Sequence, residues 1–523
     1  MLARTGKTHA SKPMMYGRDQ SDSLIVAMKS TNNAERSAAE SMEPSSGAKG
    51  KAPTSTTRRA PNRGSVTPGL ERLRQFVENN PKVRPTALLH HLNVDLLRWS
   101  YYALKRRAAA GVDGRTWEAY GENLEVQLQE LHARIHRGAY RALPSRRRMI
   151  PKPDGSKRPL GIASIEDKIV QRAVVEILNS LYEREFLGFS YGFRPGRSQH
   201  DALDALCVGI SMTAVNWIVD ADIRSFFDTV NHDWLIRFME HRIGDHRVVR
   251  LIRKWLKAGV LEGAMLTTSE TGTPQGSVIS PLLANVYLHY TYDLWVQQWR
   301  KRHARGAMIV VRYADDLVAG FEHKSDAIAF LDELRKRFEA FDLKLHAEKT
   351  RLIEFGRFAA DRRKRRGLGK PETFTFLGFN HICGKASNGR FLLWRQSRRD
   401  RMRTKLQAIK TDLRRKMHDT LNAQGRWLRA VVVGYFNYHA VPTNIVSLST
   451  FRRLVLILWQ RTLRRRSQRD RTTFATLEKV ADKWLPRPKI LHPWPNQRFA
   501  VKHPRWEPGA RIAPAGICAG GVQ

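Results

Sequence analysis

The chain has 523 residues, 91 Lys and Arg against 49 Asp and Glu, a formal charge of +42 and 42% hydrophobic side chains. That is enough apolar content to fill cores in about three or four domains, and cations spread from Arg58 to Arg511 are the footprint of a polyanionic partner, nucleic acid above all. The longest apolar runs, "AVVVGYF" (Ala430–Phe436) and "LVLILW" (Leu454–Trp459), fall far short of the ~20 residues of a spanning helix, and Cys207, Cys383 and Cys518 lack the density of a disulfide framework and the spacing of a zinc module, which points to a reducing compartment.

Residues 1–65 are rich in Ser, Thr, Lys, Ala and Gly with no apolar periodicity, so a disordered basic tail is expected. A transit peptide would share that composition, but acidic residues occur from Asp19 onward, and Met14, Met15, Met28 and Met42 offer later starts. Patterned sequence begins near Gly69. "LERLRQFVEN" and "PTALLHHLNVDLLRWSYYALKRRAAAG" have helical spacing, the second predicted to end at Gly111. "RRRMIPKPDGSKRPLGIAS" (Arg146–Ser164) reads as a hairpin with a basic rim, turning at "PDGSK". Next come a helix, "IEDKIVQRAVVEILNSLYEREF", and a Gly/Pro-punctuated loop, "SYGFRPGRSQHDALDAL", that runs into another helix.

From Val215, "VNWIVDADI" predicts a strand buried on one face, with Asp220 and Asp222 opposite Val219 and Ala221. "TGTPQGSVISPLLANVYLHYTYDLWVQQW" predicts a turn opening a long helix, with Ser280 as cap and Pro281 in the first turn. "AMIVVRY" and "LVAGF" predict two strands joined through Ala314, Asp315 and Asp316. Beyond Gly384 the chain turns helical and cationic. Met402, Leu406, Ile409, Leu413 and Met417 form one stripe, with Arg and Lys over the remaining surface. From Thr450, "RTLRRRSQRDR" and a Pro/Trp-rich end, "WLPRPKILHPWPNQRFAVKHPRW", suggest a small basic module with an irregular tail.

Two adjacent carboxylates in "VRYADDLVAG" are accounted for by a solvated hairpin tip when that stretch stands alone. With Asp222 ending a buried strand nearby in the fold, three carboxylates would converge and repel unless a cation neutralises them. Oxygen-only ligation suits Mg²⁺. Two such ions about 4 Å apart can activate a primer hydroxyl and stabilise the leaving pyrophosphate in phosphoryl transfer.

"AGVDGRTW", "SYGFRPGRSQHDAL", "DADIRSFFDTVNH", "GTPQGSVISPLLANVYL", "YADD", "HAEKTRLIEFGRF" and "FTFLGFNH" together resemble the blocks of group II intron-encoded reverse transcriptase/maturases of the bacterial type. The resemblance implies an α+β right-hand polymerase fold: fingers and palm of antiparallel sheet plus helices, then an α-helical thumb. The expected divisions are a tail over 1–65, an N-terminal helical extension over 66–145, fingers and palm over 146–385, a thumb/maturase domain over 386–449, and a basic DNA-binding region with its tail over 450–523. It assigns metal binding and catalysis to Asp222, Asp315 and Asp316, with two Mg²⁺ as cofactor, and makes Asp220 the competitor of Asp222. Asp228 then reads as a cap.

Lys152 and Arg158 match the fingers cations that hold a nucleotide triphosphate. Gln275 matches the residue that touches the nascent base pair, and Gly276 lets the backbone approach. The family's spacing favours Phe227 as the wall under the incoming sugar, leaving Phe226 to the core. "WLRAVVVGYFNYHAVPTN" resembles the thumb that grips intron RNA. The implied partners are group II intron RNA, an RNA template with DNA primer, target DNA and dNTPs, with no membrane; the oligomeric state stays open, a dimer included. The implied address is the bacterial cytoplasm in association with the nucleoid, an organelle being the alternative. Competing functions are an RNA-binding splicing cofactor without polymerase activity and a reverse transcriptase domesticated for defence. Fewer than 40 residues follow Trp484, with Cys518 alone among them, so no zinc-stapled endonuclease, and hence no second-strand nick, is expected.

Overall fold

The structure is a computed structural model that describes residues 67–151, 157–262, 265–268, 271–273, 276–466 and 473–502. The expected tail over 1–65 and the stretch holding Cys518 lie outside those residues.

The chain enters through helix Thr67–Asn79, a short turn at Leu89–His91 and helix Val94–Ala103. The single helix expected to run to Gly111 is therefore broken twice. Asn93 opens the second piece as its cap, accepting from the Leu96 N–H at 2.9 Å. The helix stops at Ala103 because Trp117 takes over its last turn: the indole donates to the Tyr101 carbonyl at 3.0 Å, and the ring stacks on Tyr101 at 4.4 Å. Leu92, Leu96 and Tyr101 then share one core with Ile169, Val174 and Leu181 of helix Ile165–Tyr182. At about 1.5–3 kcal/mol for each large apolar side chain fully buried, that seam ties the N-terminal helices to the body of the protein.

Eleven strands among the described residues form three sheets. β1 (Ser145–Pro151) and β2 (Lys157–Ile162) make the expected basic hairpin, Ile150 facing Arg158. β3 (Trp217–Asp222) is the strand expected from "VNWIVDADI". β4 (Val260–Glu262) runs parallel to β1 and pairs with β5 (Met265–Thr267), giving the order β2-β1-β4-β5. β6 (Met308–Tyr313) and β7 (Asp316–Phe321) are the second expected hairpin. With β8 (Arg351–Glu354) they form an antiparallel sheet ordered β6-β7-β3-β8. β9 (Phe374–Phe376), β10 (Phe379–Lys385) and β11 (Phe391–Ser397) make the third, ordered β11-β10-β9.

The central sheet is covered on both sides, which corrects the expectation of a strand buried on one face. Val219 and Ala221 of β3 join the core built on helix Ile165–Tyr182, whereas Ile218 joins a second core with Leu203, Ile309 and Val318. Helix Gln199–Met212 supplies that second cover. Alternation survives, because the polar members of β3, Asp220 and Asp222, fall on the second side toward the strand's open end.

The helix after "PQG" runs Ser280–Leu288, passes through one π turn at His289–Asp293 and continues as Leu294–Arg302. Ser280 is its first helical residue and not the expected cap; the cap position is Ile279, without a side-chain bond. Pro281 sits in the first turn, where an N–H has no partner in any case.

Helices Arg399–Arg415, Leu421–His439, Ile445–Arg464 and Phe474–Ala481 pack around Ile409, Leu413, Val432, Phe451, Trp459 and Leu477. Met402 and Leu406 lie at the margin of this core, and Met417 lies past the first helix's end. The boundary expected at 385/386 falls inside the β10–β11 hairpin. The one expected at 449/450 falls inside helix Ile445–Arg464.

Candidate active site

Asp222 is the last residue of β3 and stands opposite Asp316, the first residue of β7. Asp315 occupies the turn between β6 and β7 with Ala314, whose φ of 53° lies in the left-handed region. A non-glycine residue held there costs of order 1–3 kcal/mol, so the surroundings must over-determine it.

They do so through one buried arginine. The Arg312 side chain is fully buried; Nε and Nη2 donate to the two oxygens of Asp293 at 2.7 and 2.6 Å, and Nη1 donates to Asn285 Oδ1 at 2.9 Å and to the Ala314 carbonyl at 3.1 Å. Burial raises the Asp293 pKa, but Arg312 and His289 more than offset it, so the group lies below its ordinary value. The Asn285 amide donates to the Gly192 carbonyl at 2.7 Å. Gly192 presses so closely on the turn that a Cβ there would sit 2.3 Å from the Ala314 nitrogen. Tyr191 N–H donates to the Arg312 carbonyl at 2.9 Å, and Arg312 N–H to the Phe189 carbonyl at 2.8 Å. The "SYGF" block thus lines the edge of β6 beside the turn. Arg312, Asp293, Asn285 and Gly192 are the positioning residues that sequence reasoning missed.

The carboxylates behave as a crowded set. Asp316 is exposed at the start of β7, yet burial of its carboxyl, then Asp315, Asp222 and Asp220, push its pKa up to about 7 against Arg401. Asp220 is raised to about 6, chiefly by burial, while Arg351 opposes the shift from 3.5 Å and Asp222 adds to it. Asp222 takes Lys349 Nζ on Oδ2 at 3.1 Å. Asp220 and Asp222 are thus told apart by their partners, the first by an arginine on β8, the second by an exposed lysine.

Among the described residues no three His, Cys, Asp or Glu side chains converge as a ready-made metal site. The donor set nonetheless fits a hard divalent cation. It offers carboxylate oxygens alone, burial and then their mutual repulsion raise Asp316, and one of them already holds an ammonium.

Phe226 is buried and meets Phe227 and Tyr287 edge-on at 5.4 and 6.3 Å. Phe227 is half-buried at the margin of that core. Asp228 lies inside the short helix Phe226–Thr229 and does not cap the next one; Asn231 does, accepting from the Asp233 and Trp234 N–H groups at 2.8 and 3.1 Å. Lys152 and Gln275 lie outside the described residues, as does the Arg158 side chain. Gly276, at φ 100°, abuts β2, where a Cβ would meet Leu160 at 2.5 Å. The buried Gln171 fixes the loop's far side, its Oε1 accepting from Ser277 Oγ at 2.8 Å and from the Val278 N–H at 3.1 Å. On helix Arg399–Arg415, Arg399, Arg403, Lys405, Lys410, Arg414 and Arg415 are all exposed.

The family described as reverse transcriptase (RNA-dependent DNA polymerase) matches residues 150–381. Protein YkfC of Escherichia coli (strain K12) is 36% identical over 272 residues, which cover 46% of this chain and 71% of that protein. The chain belongs to the reverse transcriptase family. Group II intron-encoded protein LtrA of Lactococcus lactis subsp. cremoris is 36% identical over 238 residues, 45% of this chain and 39% of LtrA. An uncharacterised 91 kDa protein in the cob intron of Schizosaccharomyces pombe is 37% identical over 199 residues, 38% of this chain and 24% of that protein. The chain spans well under half of the two intron proteins. Enzymes of this family generally use divalent metal ions. The sheets and helices mix as an α+β fold, and among the described residues no helix is long and apolar enough to cross a membrane.

Proposed function

We propose that this reverse transcriptase copies its own group II intron RNA into DNA during retrohoming and also assists that intron's splicing. The observation that carries the reading is the register of β3 and β7: Asp222 opposite Asp316, with Asp315 in a turn that a buried Arg312 braces. Asp222, Asp315 and Asp316 would hold two Mg²⁺ ions, which supply Lewis-acid stabilisation of the charge that develops in phosphoryl transfer. Everything else falls to the chain itself. Lys152 and Arg158 neutralise the triphosphate in this reading, where forked and point-charge donors complement each other. Phe227 walls the sugar's 2′ position, Gln275 touches the nascent pair, and Gly276 lets that loop lie against β2.

Binding energy comes from elsewhere. The exposed cations of helix Arg399–Arg415 suit the phosphates of intron RNA and of the primer–template duplex. Because the RNA carries the splicing chemistry in this reading, splicing assistance is separable from polymerisation. A bacterial cytoplasm and a target DNA complete the proposal. A splicing cofactor with decayed polymerase is disfavoured, since all three carboxylates are in place and Asp316 still bears the electrostatic load of its neighbours.

The test pairs two assays on Asp222→Ala and Asp315→Ala. Primer extension on an RNA template should be abolished, while intron RNA retention on a filter and splicing stay near the parent level. Continued extension by either variant would sink the metal assignment; loss of splicing in a folded variant would sink the separation.

A further inference from the structure

The thumb is fastened twice to the rest of the chain, and both fastenings meet the corner between helices Leu421–His439 and Ile445–Arg464. At the first, Tyr438 Oη donates to the Leu377 carbonyl at 2.8 Å, Arg395 N–H donates to Thr443 Oγ1 at 2.9 Å, and Ser397 N–H donates to Asn444 Oδ1 at 3.0 Å. Those bonds accompany the chain's passage from β11 into the thumb and are what any junction needs. The second fastening is different, because nothing in connectivity demands it.

After helix Phe474–Ala481 the chain leaves the thumb core and crosses to the palm. The N–H groups of Leu491 and His492 both donate to the Ala440 carbonyl, at 2.9 and 3.1 Å. His492 Nε2 donates to the Asn437 carbonyl at 2.7 Å while its ring lies 3.9 Å from that of His200. The opposite ring nitrogen, Nδ1, accepts from Arg498 Nη1 at 3.2 Å, so both nitrogens are used by a neutral imidazole. Helix Pro495–Lys502 packs along helix Gln199–Met212, and Arg498 Nε pairs with one oxygen of Asp204. The other Asp204 oxygen takes Arg395 Nη1 at 3.0 Å. One buried carboxylate therefore joins β11 to a helix far along the chain, Arg498 lying 294 positions beyond Asp204.

Helix Gln199–Met212 is the cover of the palm sheet. Gly209 lets it lie directly on β6, where an added Cβ would meet Ile309 at 2.8 Å, and β6 leads straight into the catalytic turn. The line from thumb to turn is short and made of packed elements.

We propose that residues 486–502 form a strap that holds the thumb at a fixed distance from the palm, with Arg498 as the positioning residue that sets how long a primer–template stays bound between them. The proposal rests on the polymerase reading, in which that duplex runs between palm and thumb. A duplex held between two walls leaves when the walls separate. A second fastening at the corner where the thumb meets the palm restrains its swing before any nucleic acid arrives, which reduces the ordering that binding must supply. Arg498 touches no substrate, so the bond-forming step itself is untouched.

The experiment compares the full-length parent with Arg498→Ala and Arg498→Lys, all first matched for melting temperature. Each is loaded on an RNA template with a labelled DNA primer, and synthesis starts together with an excess of heparin, so that only one binding event is read. Arg498→Ala should shorten the median product about fivefold, as expected for a dissociation rate raised by the loss of one partly buried ion pair. Its rate of adding a single nucleotide should stay within about twofold of the parent, since dissociation and not chemistry carries the change. Arg498→Lys should recover most of the length. Equal product lengths for parent and Arg498→Ala would overturn the strap, and so would a proportionate fall in the single-addition rate. A parent that extends no primer at all would instead overturn the polymerase reading on which the strap depends.

Discussion

The β6–β7 turn and helix Arg399–Arg415 are both charged, and they handle charge in opposite ways. At the turn, negative side chains are packed together, and the positive groups that hold them are buried, forked and directed: Arg312 makes four hydrogen bonds from a fully buried position. Along helix Arg399–Arg415 the positive side chains lie in solvent, with Arg415 meeting Asp412 at 3.6 Å. The difference fits the role proposed for each region. Chemistry depends on placement to a fraction of an ångström, whereas attraction to a polyanion depends on the sum of charge and tolerates loose geometry. Substitutions at the turn should therefore act as switches, and substitutions on the thumb as a dial.

The largest break of that comparison comes at Arg312. Arg312→Ala strands a buried Asp293 carboxylate and should cost about 3–5 kcal/mol of stability, visible as a large drop in urea midpoint. Arg312→Lys keeps the charge but loses the fork. A folded Arg312→Lys protein should lose primer extension while holding RNA as before, and full extension by it would mean the turn needs no brace.

The two adjacent phenylalanines sharpen the comparison within the palm. Phe226→Ala empties a buried site and should cost about 3–5 kcal/mol. Phe227→Ala, at the margin, should leave stability nearly unchanged and relax the exclusion of ribonucleotides, read as the ratio of rNTP to dNTP incorporation. The reverse pattern would shift the sugar wall by one residue.

Acid should loosen the junction beside the thumb before it touches the exposed cations. Burial, followed by Arg395, holds His381 down at about 3, against a hydrogen bond to Phe379; burial, followed by Arg401, holds His439 at about 3. Each is neutral when folded but takes a proton below about 6.5 when unfolded. Their stabilisation is complete above that pH and is lost as pH falls from about 6.5 toward 3. The melting temperature should drop between pH 6.5 and 5, and His381→Leu should flatten that slope; an unaltered slope would assign the acid sensitivity elsewhere.

The smallest expected effect lies on the thumb face. Replacing Arg414 and Arg415 by Ala removes two exposed charges and should reduce the slope of log affinity against log salt by roughly 1.5. Polymerisation on a saturating primer–template should hardly change.

What was legible in the sequence divides along the same line. The strands, the basic hairpin and the carboxylate positions follow from local pattern, because alternation, turn residues and "YADD" are written in neighbouring positions. The brace is not. Arg312 reads as one cation before a turn and Asp293 as one acid on a helix, 19 positions away; their pairing depends on a π turn that no periodicity announces. Arg498 and Asp204 are 294 positions apart, and each has an ordinary local reading. That the boundaries expected at 385/386 and 449/450 fall within a hairpin and within a helix has the same origin. The change to a cationic composition falls near Gly384, but the hairpin and the thumb core close across it by contacts between distant residues.

The central claim is that the carboxylates at the ends of β3 and β7 do the chemistry and the basic thumb does the holding. One preparation of Asp315→Ala decides it, assayed for cDNA synthesis from a primed RNA and, in the same buffer, for intron RNA affinity. The expected result is no detectable cDNA and an RNA dissociation constant within about twofold of the parent. Retained synthesis, or RNA affinity that collapses together with it in a folded protein, would contradict that division of labour.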